Sequence, residues 1–122
     1  MPQPARTPYQ SIIDELASKT AATSARAKRA AENQPFPTAA HAEFNALLAT
    51  LEPTQRELLA SVLLRERRSA VHDTLAVLSA RYENEGVVWS HEGLPLPMAL
   101  SGMGLHGDFA GRLDGWEWPD EA

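Results

Sequence analysis

Four side chains in this sequence are suited to chemistry at a site: His72, His106, Asp108 and Arg112. Two imidazoles and a carboxylate would together suit a divalent metal. Arg112 and Trp116 are of the types that anchor binding surfaces, so one indole and the guanidinium could line a pocket or an interface. Nothing in the spacing demands either arrangement. His72 and Asp73 are adjacent, but on a helix neighbours project about 100° apart and do not face each other. Asp108 and Arg112, four apart, would pair along a short helix whose apolar face is Phe109, Leu113 and Trp116. The plainer reading makes His72 a half-buried structural histidine. Trp116 and Trp118 then clamp the end of the chain onto a helical core. His41 and His91 read as peripheral.

Gly102-Met103-Gly104-Leu105-His106-Gly107 matches Gly-x-Gly-x-x-Gly, the turn that brings backbone amides to a pyrophosphate. Only 15 residues follow it. They leave no room for a second parallel strand or for the ribose-binding acid of a dinucleotide fold. A tightly turned loop is the preferred reading, with an anion held by loop amides as the alternative. No nucleophile elbow, His-Glu-x-x-His pair or Walker loop occurs. There is no cysteine, so disulfides and thiolate chemistry are excluded. No cofactor and no metal site are expected.

The side chains above must be positioned by a largely helical chain. The densest apolar pattern runs from Thr54 to Tyr82. Thr54-x-x-Glu57 has capping-box spacing. Leu58, Leu59, Val62 and Leu63 make one stripe, and Val71, Leu75, Leu78 and Tyr82 make a second. On one straight helix their centres would lie roughly 160° apart. The preferred reading is a break near Arg65–Ser69 with Ser69 as a new N-cap, although no Gly or Pro enforces it. The alternative is one long helix.

Before this stretch, Tyr9, Ile12, Ile13 and Leu16 give a first helix starting near Pro8. Residues 17–34 hold alanines and basic residues but no large apolar side chain, and read as an exposed helix or connector that buries little. Pro35-Phe36-Pro37 is a boundary. Thr38 can cap a further helix with Ala40, Phe44, Leu47, Leu48 and Leu51 inward. After it, Gly86 suits a left-handed helix stop. Val87 to Met98 reads as a β-hairpin around Glu92-Gly93, with Trp89 opposite Leu96 and Val87 opposite Met98. A three-residue loop, His91 to Gly93, is the other register. Predicted core residues are Ile12, Phe44, Leu48, Leu58, Val62, Val71, Leu75 and Leu78.

The string from Gly107 to Pro119, Gly-Asp-Phe-Ala-Gly-Arg-Leu-Asp-Gly-Trp-Glu-Trp-Pro, resembles the tail of a family of small bacterial proteins classed as a domain of unknown function. Val71-His72-Asp73-x-Leu75 and Tyr9-x-x-Ile12-Ile13-Asp14 are similar to other parts of that family. The resemblance implies a stand-alone bacterial domain. It transfers no activity, cofactor or catalytic residue.

Charge is segregated. The net charge is −5, yet residues 83–122 hold one basic and eight acidic groups. This acidic third argues against general nucleic-acid binding and leaves open an acidic surface that meets a basic partner. No apolar run could span a membrane, and no signal peptide is evident near the first residues. The expected fold is α+β: a mainly helical core of four to five short helices, a small β-hairpin and a glycine-rich C-terminal tail ending in a short helix. Residues 1–122 are expected to form a single domain, helical over 1–85, with the hairpin and tail over 86–122. The expected function is a small soluble, cytoplasmic, non-enzymatic binding module that meets a protein partner or a second copy of itself. The alternative is a small-molecule or metal-binding enzyme with a site near His72, His106, Asp108 and Arg112.

Overall fold

The computed structural model describes residues 6–21 and 25–120. The fold is mainly helical with one small antiparallel hairpin, α+β as expected. The chain divides into two compact units, one formed by Met1–Ala21 with Ser69–Ala122 and the other by Ala22–Arg68.

In the first unit, helix α1 (Arg6–Ala21) packs on the C-terminal helix α5 (Gly104–Leu113). Tyr9, Ile13 and Ala17 recur every four residues, so they fall on one face. That face is buried with Leu75, Leu96, Met98, Leu105 and Phe109. Ile12 lies off the face and is 39% exposed, so its expected burial is corrected. Thr20 is also buried, its hydroxyl bonding back to the Leu16 carbonyl at 3.0 Å.

The second unit contains α2 (Ala25–Ala31), a 3-10 turn (Ala39–His41) and α3 (Ala42–Thr50). Its core gathers Ala30, Phe36 and Leu48, with Phe44, Leu51, Leu59 and Leu63 against them. Residues 17–34 are mostly exposed, as expected, but small side chains fill tight spaces: Ala17, Thr20, Ala27 and Ala30 are buried. Residues 22–24 of that stretch lie outside the described residues. The Asn45 side chain brackets Phe36, accepting from its amide at 2.8 Å and donating to its carbonyl at 3.0 Å. Thr38 does not cap a helix through its side chain; its hydroxyl meets His41 Nδ1 at 2.5 Å instead.

Helix α4 is continuous from Pro53 to Glu85. The expected break at Arg65–Ser69 does not occur. Each stripe has a core of its own, so the helix need not be interrupted. Leu59 and Leu63 pack in the second unit, and Val71, Leu75, Leu78 and Tyr82 in the first. The unit boundary nevertheless falls at Arg68/Ser69, where the stripes change phase. Leu58 and Val62, expected in the core, are 66% and 44% exposed. The core takes the Leu59–Ala60–Leu63 edge of that stripe, about one residue or 100° round the helix. The capping box also sits earlier than expected. Pro53 occupies the first helical position, and Gln55 Oε1 reaches back to the Glu52 amide at 2.8 Å.

Gly86 ends α4 at φ 68°, and its amide bonds the Tyr82 carbonyl at 3.2 Å. Strands β1 (Ser90–His91) and β2 (Leu94–Pro95) then pair with Ser90 opposite Pro95 and His91 opposite Leu94. This is the two-residue register. Glu92 and Gly93 both take positive φ (50° and 81°), as the twist-matched hairpin turn requires. Leu96 and Met98 are carried into the core.

Leu75 is 3% exposed at the centre of the first unit. Leu75→Ala is expected to cost about 2–5 kcal/mol in denaturant melts. A loss below about 1 kcal/mol would show that the Val71–Tyr82 stripe is not core.

Candidate functional site

The expected site residues all lie in the first unit, on or beside α5, and they separate into three groups. Asp108 is fully buried. Its carboxylate accepts the amides of Leu100 and Ser101, each at 2.7 Å, and the Tyr9 hydroxyl. The same hydroxyl accepts the Ala99 amide at 3.2 Å. The left-handed Ala99 (φ 71°) turns the chain sharply, and Asp108 takes up the amides that this turn leaves without partners. Burial, followed by the hydrogen bond to Asp108, pushes the Tyr9 phenol far above the ordinary tyrosine range.

That shift has a sign that can be tested. The unfolded chain releases the Tyr9 proton near pH 10 while the native protein holds it. The stabilisation is therefore complete below about pH 10 and is lost as pH rises further. Melting temperatures between pH 9 and 11 should fall more steeply for the wild type than for Tyr9→Phe. Parallel curves would mean that Tyr9 does not titrate differently in the two states.

Arg112 does not pair with Asp108. The Asp108 carboxylate is already filled, and Arg112 Nε donates instead to Asp14 Oδ1 at 2.6 Å. Its Nη1 donates to the Trp116 carbonyl, and its guanidinium stands 5.5 Å from the Trp118 ring centre. Trp118 Nε1 donates to Asp14 Oδ2 at 3.1 Å, so Asp14 holds two donors from the last turn of the chain. Trp118 also meets Tyr9 edge-on at 5.9 Å. Trp116 is not on the face of α5, because that helix ends at Leu113. The chain reverses at Gly115 (φ 83°), and Trp116 folds back on Gly111, where a Cβ would lie 3.2 Å from the indole. A cleft of about 300 Å³ borders Asp14, Ser18 and Arg112.

The histidines form the third group. The rings of His72 on α4 and His106 on α5 meet edge-to-face at 5.1 Å. His106 Nδ1 is buried without a hydrogen-bond partner among the described residues. Gly104 makes this packing possible, since a Cβ there would lie 2.6 Å from Ser79 Oγ and 2.7 Å from His106 Cε1. Ser79 is itself buried and accepts the Leu105 amide at 3.2 Å. His72 Nδ1 approaches Asp73 Oδ1 to 3.2 Å, contrary to the expectation that they turn apart, but both are solvent-exposed. Flexible side chains close the gap that the backbone spacing opens.

The structure thus joins His72 to His106, and Arg112 to Trp116, and leaves Asp108 with neither. Among the described residues no three His, Cys, Asp or Glu side chains gather as metal ligands. Nor is any helix there long and apolar enough to cross a membrane. The Gly-x-Gly-x-x-Gly string forms no open phosphate loop: Gly104 and Gly107 are inside α5, where Gly107 lets the helix close on Met103. Sequence reasoning missed Tyr9, Asp14 and Ser79. Their signals were weak: Tyr9 counted only as part of the apolar face of the first helix, Asp14 lies within that same helix, and Ser79 lies one i+4 step beyond Leu75.

No curated protein and no solved structure matches this chain. A family model matches it over nearly its whole length, residues 2–120, and the chain belongs to that family, the family of unknown function DUF6547.

Proposed function

We propose that the protein is a non-enzymatic binding module whose first unit docks an apolar segment of a basic protein partner. The observation that carries this reading is an open groove of about 350 Å³ between α1 and the second half of α4. Its lining is almost wholly apolar, with Leu16, Val71, Leu75, Leu78 and Trp89 as the main walls. The Thr74 hydroxyl is occupied by the Ala70 carbonyl at 2.8 Å. Val87 and Val88, beside Trp89 in the chain, are exposed as well. Contiguous exposed apolar surface of this kind marks interaction sites. Charge selects the partner. The first unit holds four basic and eleven acidic residues, net −7, so complementarity calls for lysines and arginines around the apolar anchor. In this reading the partner is met in the cytoplasm, and nucleic acid is disfavoured by the same charge.

A synthetic helical peptide with leucine on one face and lysine on the other is a suitable probe. Amide shifts should concentrate at Leu16, Ala70, Thr74, Leu78 and Trp89, weaken with salt, and disappear in Ala70→Lys, which crowds the groove with a repelling charge. Ala70 is exposed on α4, so this variant should fold. Shifts elsewhere, or equal binding of a leucine/glutamate peptide, would defeat the proposal.

A second reading, a small-molecule or metal-binding enzyme, has one observation in its favour: the His72–His106 contact with its unpartnered Nδ1. Asp108 and Arg112 are committed elsewhere and contribute no ligand to it. Protein purified without an affinity tag is expected to carry no stoichiometric zinc by elemental analysis. One zinc per chain, lost in His106→Ala, would establish this reading instead.

A further inference from the structure

The second unit carries a cavity that the docking groove does not use. It measures about 120 Å³ and is lined by Arg26, Phe36, His41, Phe44 and Leu63. Its walls are set by aromatic packing. The Phe36 and Phe44 rings meet edge-on at 5.3 Å. The His41 ring stacks on Phe36 at 4.9 Å and 17°. His41 Nδ1 is held by the Thr38 hydroxyl at 2.5 Å, so the imidazole serves as a wall with its nearer nitrogen occupied. Asn45 pins the Phe36 backbone from both sides, which makes the cavity a fixed feature of this unit.

Size and charge define the occupant. An apolar cavity of about 150 Å³ lined by Leu, Ile and Phe accepts benzene. The cavity here is of that order, and its surface is mostly apolar. One charged side chain lines it: Arg26 has no ion-pair or hydrogen-bond partner among the described residues. A second guanidinium, that of Arg29, stands 5.9 Å from the Phe36 ring centre and is tethered to the Pro35 carbonyl at 2.7 Å. No acidic residue lines the cavity. A guanidinium left without a counter-ion beside an aromatic slot matches a carboxylate on a ring-sized apolar body.

We propose that the second unit binds a small aromatic carboxylate, with the ring between Phe36, Phe44 and Leu63 and the carboxylate at Arg26. The proposal is independent of the docking reading, which concerns the other unit.

The probe is 4-fluorobenzoate, followed by its fluorine resonance, with amide shifts of the labelled protein locating it. The neutral control is 4-fluorobenzamide. Saturable binding of the benzoate is expected, with shifts at Arg26, Phe36, His41, Phe44 and Leu63, and weaker binding of the amide. Arg26 is exposed, so Arg26→Gln should fold. It should lower benzoate affinity about three-fold, the scale of one solvent-screened charge pair, and erase the preference over the amide. Leu63→Trp, which fills the slot, should abolish binding of both; its fold is checked by an unchanged amide spectrum in the first unit. Non-saturable titration, shifts outside these residues, or equal affinity of benzoate and benzamide for the wild type would each overturn the proposal.

Discussion

Replacing Asp108 by alanine is expected to destabilise the protein by about 3–5 kcal/mol, because the buried carboxylate is the shared acceptor of one buried and two part-buried donors. The Tyr9 hydroxyl inside the core and the part-buried amides of Leu100 and Ser101 would lose their partner. A buried donor left unmade costs about 1–3 kcal/mol, and bonds to a charged acceptor are stronger than average. Asp108→Asn should fall between the two. Its amide retains one acceptor oxygen but presents a donor to whichever amide faced the other oxygen. Denaturant melts of both variants supply the test. A loss below about 1 kcal/mol for Asp108→Ala would mean that water reaches the 99–101 turn. It would also return Asp108 to the set of candidate ligands.

Deleting the chain from Gly107 onward is expected to leave an insoluble protein or one without cooperative unfolding. The deletion removes Asp108 and Phe109, both inside the core, and with them most of the surface on which α1 packs. It also removes both donors that Asp14 holds among the described residues. An aromatic side chain buries on the order of 200 Å². At about 25 cal/mol per Å², Phe109 with the two C-terminal tryptophans is comparable with the net stability of a small domain. A milder variant separates the end of the chain from the helix. Trp118→Ala keeps α5 intact but removes the edge contact with Tyr9 and the bond to Asp14. It should cost about 2–3 kcal/mol, somewhat below the range for a fully buried aromatic. A truncated protein that melts with the full-length chain would sink this account, and would recast Trp116 and Trp118 as a free docking motif.

The site was less legible than the elements that carry it, and the reason is distance along the chain. Asp108 and Arg112 have helical spacing, and spacing alone suggests a pair. Their actual partners are Tyr9 and Asp14, which α1 contributes from the other end of the sequence. No local rule points from residue 108 to residue 9. The histidine contact has the same character. His72 and His106 touch because Ser79 and Gly104 bring α5 against α4, and Gly104 there looked like a phosphate-loop glycine. A glycine needed for close packing and a glycine needed for a ligand are the same letter.

What the sequence by itself determined are the features whose energy is local. Glu92-Gly93 selects a turn with two positive φ values, and that turn alone sets the hairpin register and sends Leu96 and Met98 inward. Gly86 stops α4 because a left-handed residue there costs glycine nothing. The apolar spacing of Tyr9, Ile12, Ile13 and Leu16 marks α1 as a helix with one apolar side, of which Tyr9 and Ile13 reach the core. Only the tertiary structure decided whether α4 is interrupted and which of its leucines are covered. Two stripes out of phase are compatible with a broken helix around one core or a continuous helix serving two cores. The choice depends on where the neighbouring elements lie. Leu48, Leu51 and Phe36 lie where they cover Leu59 and Leu63, so Leu58 and Val62 stay in water although nothing in their own neighbourhood marks them as different. Burial is a property of what arrives from elsewhere in the chain, and periodicity reports only which residues could receive it.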